Sequence, residues 1–76
     1  MNEKIIDLFS SVLGVSKEKI NDETSMDDVP EWDSLAHISL VSAIEEEFNI
    51  SMSMDEITSM LSIKCAVEII TELSNN

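Results

Sequence analysis

The chain has 76 residues, four Lys against sixteen Asp and Glu, and a net charge of −12, with one Trp, two Phe and no Tyr. A chain this short makes one domain with a small core, aliphatic and Met-rich for want of aromatics, and it has little room for a deep catalytic cleft. The charge excludes nucleic acid and anionic membranes as natural partners and favours basic protein surfaces, with association steered by charge and weakened by salt.

The first predicted helix begins near Asn2, which can cap it. Ile5, Ile6, Leu8, Phe9, Val12 and Leu13 form its apolar arc, and Glu3, Lys4, Asp7, Ser10 and Ser11 its polar one. Gly14, the only glycine, stands where a C-terminal cap belongs. The segment from Val15 to Trp32 is long for a connection in so small a domain, and loops of that length are usually functional or disordered. Val15, Ile20, Met26 and Val29 are spaced like anchors onto a core, which favours a functional loop, and Ser16 to Ile20 can form a single helical turn. Pro30 helps to stop any helix from continuing towards residue 34.

A second helix is expected from Ser34 to Phe48, free of Gly and Pro. Asp33 is a good N-cap, able to accept from the backbone N–H of Leu35 or Ala36, which leaves Ser34 as the first helical residue with its hydroxyl outward. A phosphate ester there would sit at the helix N-terminus, where the helix dipole favours negative charge. Leu40, Val41, Ile44 and Phe48 share the core face, with His37 among them. Leu35, Ser39, Ser42, Glu45 and Glu46 take the opposite face, Leu35 as a lone exposed apolar residue, and Ile38 lies at the border. Ser53-Met54-Asp55-Glu56 reads as a capping box opening a short third helix, with Met54, Ile57, Met60 and Leu61 inward. Ser62 can cap a fourth helix that turns Ile63, Ala66, Val67, Ile69, Ile70 and Leu73 to the core, and the tail Ser74-Asn75-Asn76 is expected to fray. The expected fold is all-α: residues 1–76 as one domain, a small four-helix bundle of three main helices and a short third, with a long first loop.

Other features have plain readings. Ser34 and His37 are i, i+3 neighbours, but the wheel turns His37 to the apolar side and no nucleophile elbow is present, so a hydrolase is the remote reading. His37 is expected to line the edge of the core. Asp22, Glu23, Asp27, Asp28, Glu31 and Asp33 lack the EF-hand pattern and read as a solvated, partner-facing surface; no metal site is expected. Met52, Met54 and Met60 read as core filling that could also adapt to a guest. Trp32 is either a plug for the loop or a contact for a partner, and the enrichment of Trp at hot spots favours contact. Cys65 is the only cysteine, so no internal disulfide can form, and with no signal-peptide pattern the expected location is cytoplasmic.

Asp33-Ser34-Leu35 opening a helix that ends Glu45-Glu46-Glu47-Phe48, with Leu13-Gly14-Val15 at the matching distance upstream, resembles the acyl carrier proteins over nearly the whole chain. The resemblance implies a carrier, not an enzyme. It implies that Ser34 is esterified with 4′-phosphopantetheine from coenzyme A by a separate transferase using Mg²⁺, which the carrier does not bind stably. The arm's thiol then carries acyl groups as thioesters between enzymes of fatty-acid, polyketide or related biosynthesis. By the same resemblance Asp33 caps the helix and helps present the serine, and Leu35, Ile38, Glu45 and Glu46 face partner enzymes with basic docking surfaces; Trp32 joins that contact set, and a monomer is expected. Ala36, Ser39, Ser42 and the Glu31-Trp32 pair depart from the common family pattern, which points to a specialised carrier serving a dedicated pathway. The alternative of another class is an acidic helical adaptor that binds a basic partner with Ser34 unmodified.

Overall fold

The computed structural model describes residues 2–74, Asn2 by its backbone alone. Four helices follow in order, α1 (Asn2–Leu13), α2 (Ser34–Phe48), α3 (Met54–Ser59) and α4 (Ile63–Ser74), with short 3-10 turns at Lys17–Lys19 and Met26–Asp28 in the first loop. Helix α1 takes in Asn2 itself, the residue expected to cap it; that side chain lies outside the described residues, as do Asn75 and Asn76 of the expected frayed tail.

The helix ends follow local chemistry. Gly14 adopts φ +71°, and the N–H groups of Gly14 and Val15 both return to the Ser10 carbonyl, at 2.9 and 3.2 Å. The Ser10 hydroxyl donates to the Val15 carbonyl and closes the turn. At α3 the capping box forms as read: the Ser53 N–H donates to Glu56 Oε1 at 2.8 Å and the Glu56 N–H to Ser53 Oγ at 3.2 Å. Ser62 Oγ accepts from the Cys65 N–H at 3.1 Å and starts α4. Helix α2 stops at Asn49, which takes the left-handed conformation (φ 55°) in place of a glycine.

One core joins the elements. Ile5, Phe9 and Leu13 give α1 a buried stripe at four-residue spacing, against Leu40, Val41 and Ile44 of α2 and Ile63, Ala66 and Ile70 of α4. The first loop is built into it: Ile20 and Val29 are buried, while Val15 and Met26 are half-buried. Backbone pairing holds the loop to the α3–α4 connection, with the Met26 N–H donating to the Leu61 carbonyl at 2.8 Å and the Ile63 N–H to the Thr24 carbonyl at 2.9 Å. An exposed Lys17–Asp7 ion pair at 2.7 Å ties the loop back to α1, and this hydrogen bond with the Asp7 charge raises the pKa of Lys17.

Trp32 corrects the expectation of a partner contact. It is 2% exposed, its ring edge-on to Phe9 with centroids 5.2 Å apart. Its Nε1–H donates to His37 Nδ1 at 3.0 Å. In a core with so few aromatics, the indole supplies the largest apolar surface available, and its one polar atom has found a partner. The third helix also differs. Met60 is fully buried, but Met54 and Leu61 are 73% and 53% exposed, not inward. Six residues make fewer than two turns, Met54 sits at the open first position, and Leu61 lies beyond the helix where its carbonyl is pinned by Met26.

Two stability measurements follow. Gly14→Ala meets no atom within 4 Å, so its cost comes from the backbone alone. It is expected to lower stability by about 1 kcal/mol, seen as a lower urea midpoint with unchanged slope. Trp32→Phe removes the donor to His37 Nδ1, and is expected to cost about 2 kcal/mol in urea titrations followed by far-UV circular dichroism.

Candidate functional site

Helix α2 begins where the loop has already been fixed. The Trp32 N–H donates to the Val29 carbonyl at 3.0 Å while its side chain enters the core, so the backbone reaches Asp33 in a set direction. Asp33 is extended (φ −102°), and its Oδ1 accepts from the Ala36 N–H at 2.9 Å. This satisfies one of the N–H groups left free at the helix start. Ser34 follows as the first residue of α2, exposed, and its hydroxyl is engaged by no hydrogen bond among the described residues. It is therefore an accessible alcohol on a rigid helix, beside the positive end of the helix dipole.

His37 lies one turn below. An indole N–H can only donate, so Nδ1 of His37 accepts and carries no hydrogen. The ring proton sits on Nε2, which donates to the Ile57 carbonyl of α3 at 2.8 Å. The Trp32 and His37 rings stack with centroids 6.1 Å apart. Both nitrogens are thus committed to structure, and neither is available to take a proton from Ser34. A catalytic Ser–His pair is not assembled, and His37 lines the edge of the core as the wheel indicated.

The surface around Ser34 is more apolar than expected. Leu35 is 79% exposed and Ile38 65%, so Leu35 is not alone and Ile38 is outward, not at the border. Met54, at the start of α3, adds a further exposed apolar side chain that the wheel placed inside. Glu46 is exposed as expected. Glu45 requires a correction: its Oε2 accepts from the Met52 N–H at 2.8 Å, so it holds the α2–α3 loop and does not stand free for a partner. The bond could not be read from a wheel, because it depends on where the loop after Asn49 returns. Of the six loop acids, Asp28 accepts from the Ser25 N–H at 3.0 Å and Asp33 caps α2. Among the described residues no group of three or more His, Cys, Asp or Glu is arranged to hold a metal ion, and no helix is long and apolar enough to cross a membrane.

Comparison with known proteins bears directly on this serine-headed helix. The sequence profile of the phosphopantetheine attachment site family matches residues 3–73. The acyl carrier protein of Cyanidium caldarium is 36% identical over 74 residues, covering 97% of this chain and 86% of that protein. The acyl carrier protein of Syntrophobacter fumaroxidans is 36% identical over 64 residues, covering 84% and 79%. In fold, the chain superposes on the solution NMR structure of the holo acyl carrier protein from Geobacter metallireducens with a TM-score of 0.84 at 21% identity, covering 95% of this chain and 83% of that one. An exposed alcohol on a capped helix is the kind of group to which a phosphate ester can be attached, and the chain belongs to the acyl carrier protein family, which carries acyl groups on a 4′-phosphopantetheine prosthetic group.

Proposed function

We propose that Ser34 is the residue that takes the arm. The observation that carries this reading is its free, exposed hydroxyl at the first position of α2, immediately after the Asp33 cap. The Ser34 oxygen attacks the phosphorus on the pantetheine side of the coenzyme A pyrophosphate. The phosphoanhydride bond breaks, adenosine 3′,5′-bisphosphate leaves, and the hydroxyl proton passes to a base on the transferase. A separate phosphopantetheinyl transferase supplies that base and the Mg²⁺, because His37 is occupied and this chain gathers no metal site of its own among the described residues. Once attached, the arm supplies a thiol that holds acyl groups as thioesters. The chain itself is a carrier without catalytic activity, working in the cytoplasm as a monomer, where a lone Cys65 is compatible with reducing conditions.

The contact surface for partner enzymes centres on Leu35 and Ile38, with Met54 added and Glu46 as the acid on the same helix. Exposed apolar side chains next to acids suit a partner with a hydrophobic contact ringed by Lys and Arg. Trp32 and Glu45 serve the fold instead. The partners are acyl-loading, condensing or acyl-transfer enzymes of fatty-acid, polyketide or related biosynthesis. Ala36 and Ser39 leave the first turns of α2 without acids, which supports a dedicated set of partners over the housekeeping ones.

Intact mass decides the attachment site. Incubated with coenzyme A, Mg²⁺ and a permissive phosphopantetheinyl transferase, the wild-type protein is expected to gain one phosphopantetheine and Ser34→Ala none, while both keep the same circular dichroism spectrum. A Ser34→Ala protein that still gains the mass would refute the assignment. Salt tests the docking mode. Raising ionic strength from about 0.01 M to about 1 M shortens the Debye length from roughly 30 Å to 3 Å, and is expected to slow loading at subsaturating carrier concentration. A loading rate indifferent to salt would mean that the acids take no part.

A further inference from the structure

Resting on the Ser34 reading, we propose that this carrier keeps its cargo outside the helical bundle, and that the cargo is a short or polar acyl group, not a long alkyl chain. An alkyl chain tethered at Ser34 could leave water only by passing between α2 and α3 into the core. That route is closed at three points.

The first is filled space. Trp32, two residues before Ser34, is 2% exposed and stands edge-on against Phe9, which is fully buried. The volume behind the start of α2 belongs to the indole. The second closure is His37, one turn below Ser34, whose Nε2–H reaches across to the Ile57 carbonyl of α3 at 2.8 Å. The third is Glu45, whose carboxylate holds the Met52 N–H at 2.8 Å where the chain returns towards α3. His37, Val41 and Glu45 share one line of α2 at four-residue spacing, so the two hydrogen bonds stand roughly 12 Å apart along the seam. Val41 fills the interval and is buried, as is Met60 opposite.

Parting α2 from α3 would strand the His37 nitrogens, the Ile57 carbonyl and the Met52 N–H in an apolar setting, a cost that a purely aliphatic seam does not carry. The surface depressions do not offer another berth. One of about 390 Å³ is lined by Asp22, Glu23, Lys64, Val67 and Glu68, and neither it nor the smaller one beside Val15 and Val29 is lined by any residue of α2 or α3. A bundle that gives an alkyl chain no interior suits cargo with little apolar surface to hide, such as a hydroxyacyl, aminoacyl or short acyl group.

The test loads the apo protein from acetyl-coenzyme A and, separately, from tetradecanoyl-coenzyme A, with a transferase that accepts acylated coenzyme A. Intact mass verifies each product. The expected result is that the two products share the same emission from Trp32, the only tryptophan, and the same amide NMR shifts at Phe9, Val41 and Met60. Displacement of those amides with a change in Trp32 emission, in the tetradecanoyl product alone, would overturn this proposal while leaving Ser34 as the attachment site. No gain in mass from either donor would overturn the Ser34 reading and this one with it. Trp32→Leu keeps the position apolar but vacates most of the indole volume. It is expected to admit the long chain and show core shifts that depend on chain length. A folded Trp32→Leu protein whose core ignores chain length would refute Trp32 as the barrier; should that variant not fold, the two loaded wild-type forms decide alone.

Discussion

The structure depends on one short run of donors and acceptors: the Trp32 indole N–H, the two nitrogens of His37 and the Ile57 carbonyl. Each has a single arrangement open to it. The indole must donate, so Nδ1 must accept, so Nε2 must carry the proton and find an acceptor, and the acceptor it finds lies on another helix. The run therefore joins the end of the long loop to the first turn of α2 and then to α3. In a small domain with a marginal core, such a run does what extra apolar area would do in a larger one: it selects one packing among several that would bury similar surface. Ser34 sits between Trp32 and His37 in sequence, and its direction into solvent is set by both of its neighbours pointing inward.

The acidic composition has a second use besides steering partners. Four carboxylates take backbone N–H groups that no helix or strand would otherwise satisfy: Asp28 at Ser25, Asp33 at Ala36, Glu45 at Met52 and Glu56 at Ser53. These are charge-assisted bonds, stronger than their neutral counterparts. They lie at the entries to elements, where N–H groups lack partners and where negative charge meets the positive end of a helix. Part of the net charge is thus spent on defining where helices begin, and only the remainder, Glu46 and the unpaired loop acids among it, is presented to a partner.

How far the sequence could be read depended on whether a feature was local. The Asp33 and Ser62 caps, the Ser53–Glu56 box and the Gly14 turn each involve residues within a few positions of one another, and all form as their spacing indicates. The buried line of α2 was legible because fifteen residues give several turns of periodicity. Trp32 was not legible: a large amphipathic side chain at a loop end is as well suited to an interface as to a core, and only the partner it meets, Phe9 across the bundle, separates the two. Glu45 was misread for the same reason, since its acceptor role depends on where the loop at Met52 returns. Helix α3 is too short for a wheel to assign faces, and the Met26 turn and its bridge to Leu61 arise from pairing 35 positions apart, which no local pattern announces.

The departures from the common family pattern are better understood as one unit than as separate substitutions. A large indole before Asp33 requires room in the core and a partner for its N–H; His37 supplies the partner, and His37 in turn requires an acceptor, which α3 supplies. Changing one member leaves the others with unmet hydrogen-bonding capacity, a larger cost than changing both ends of a pair. The same unit that aims Ser34 outward also occupies the space beneath it. A carrier can direct its arm by packing a rigid group under the attachment point, or it can keep that space soft for a guest. With Trp32 fully engaged on every side, this chain has taken the first course, and its specificity is then exercised on the outer surface of α2, where Leu35 and Ile38 stand in solvent beside the arm.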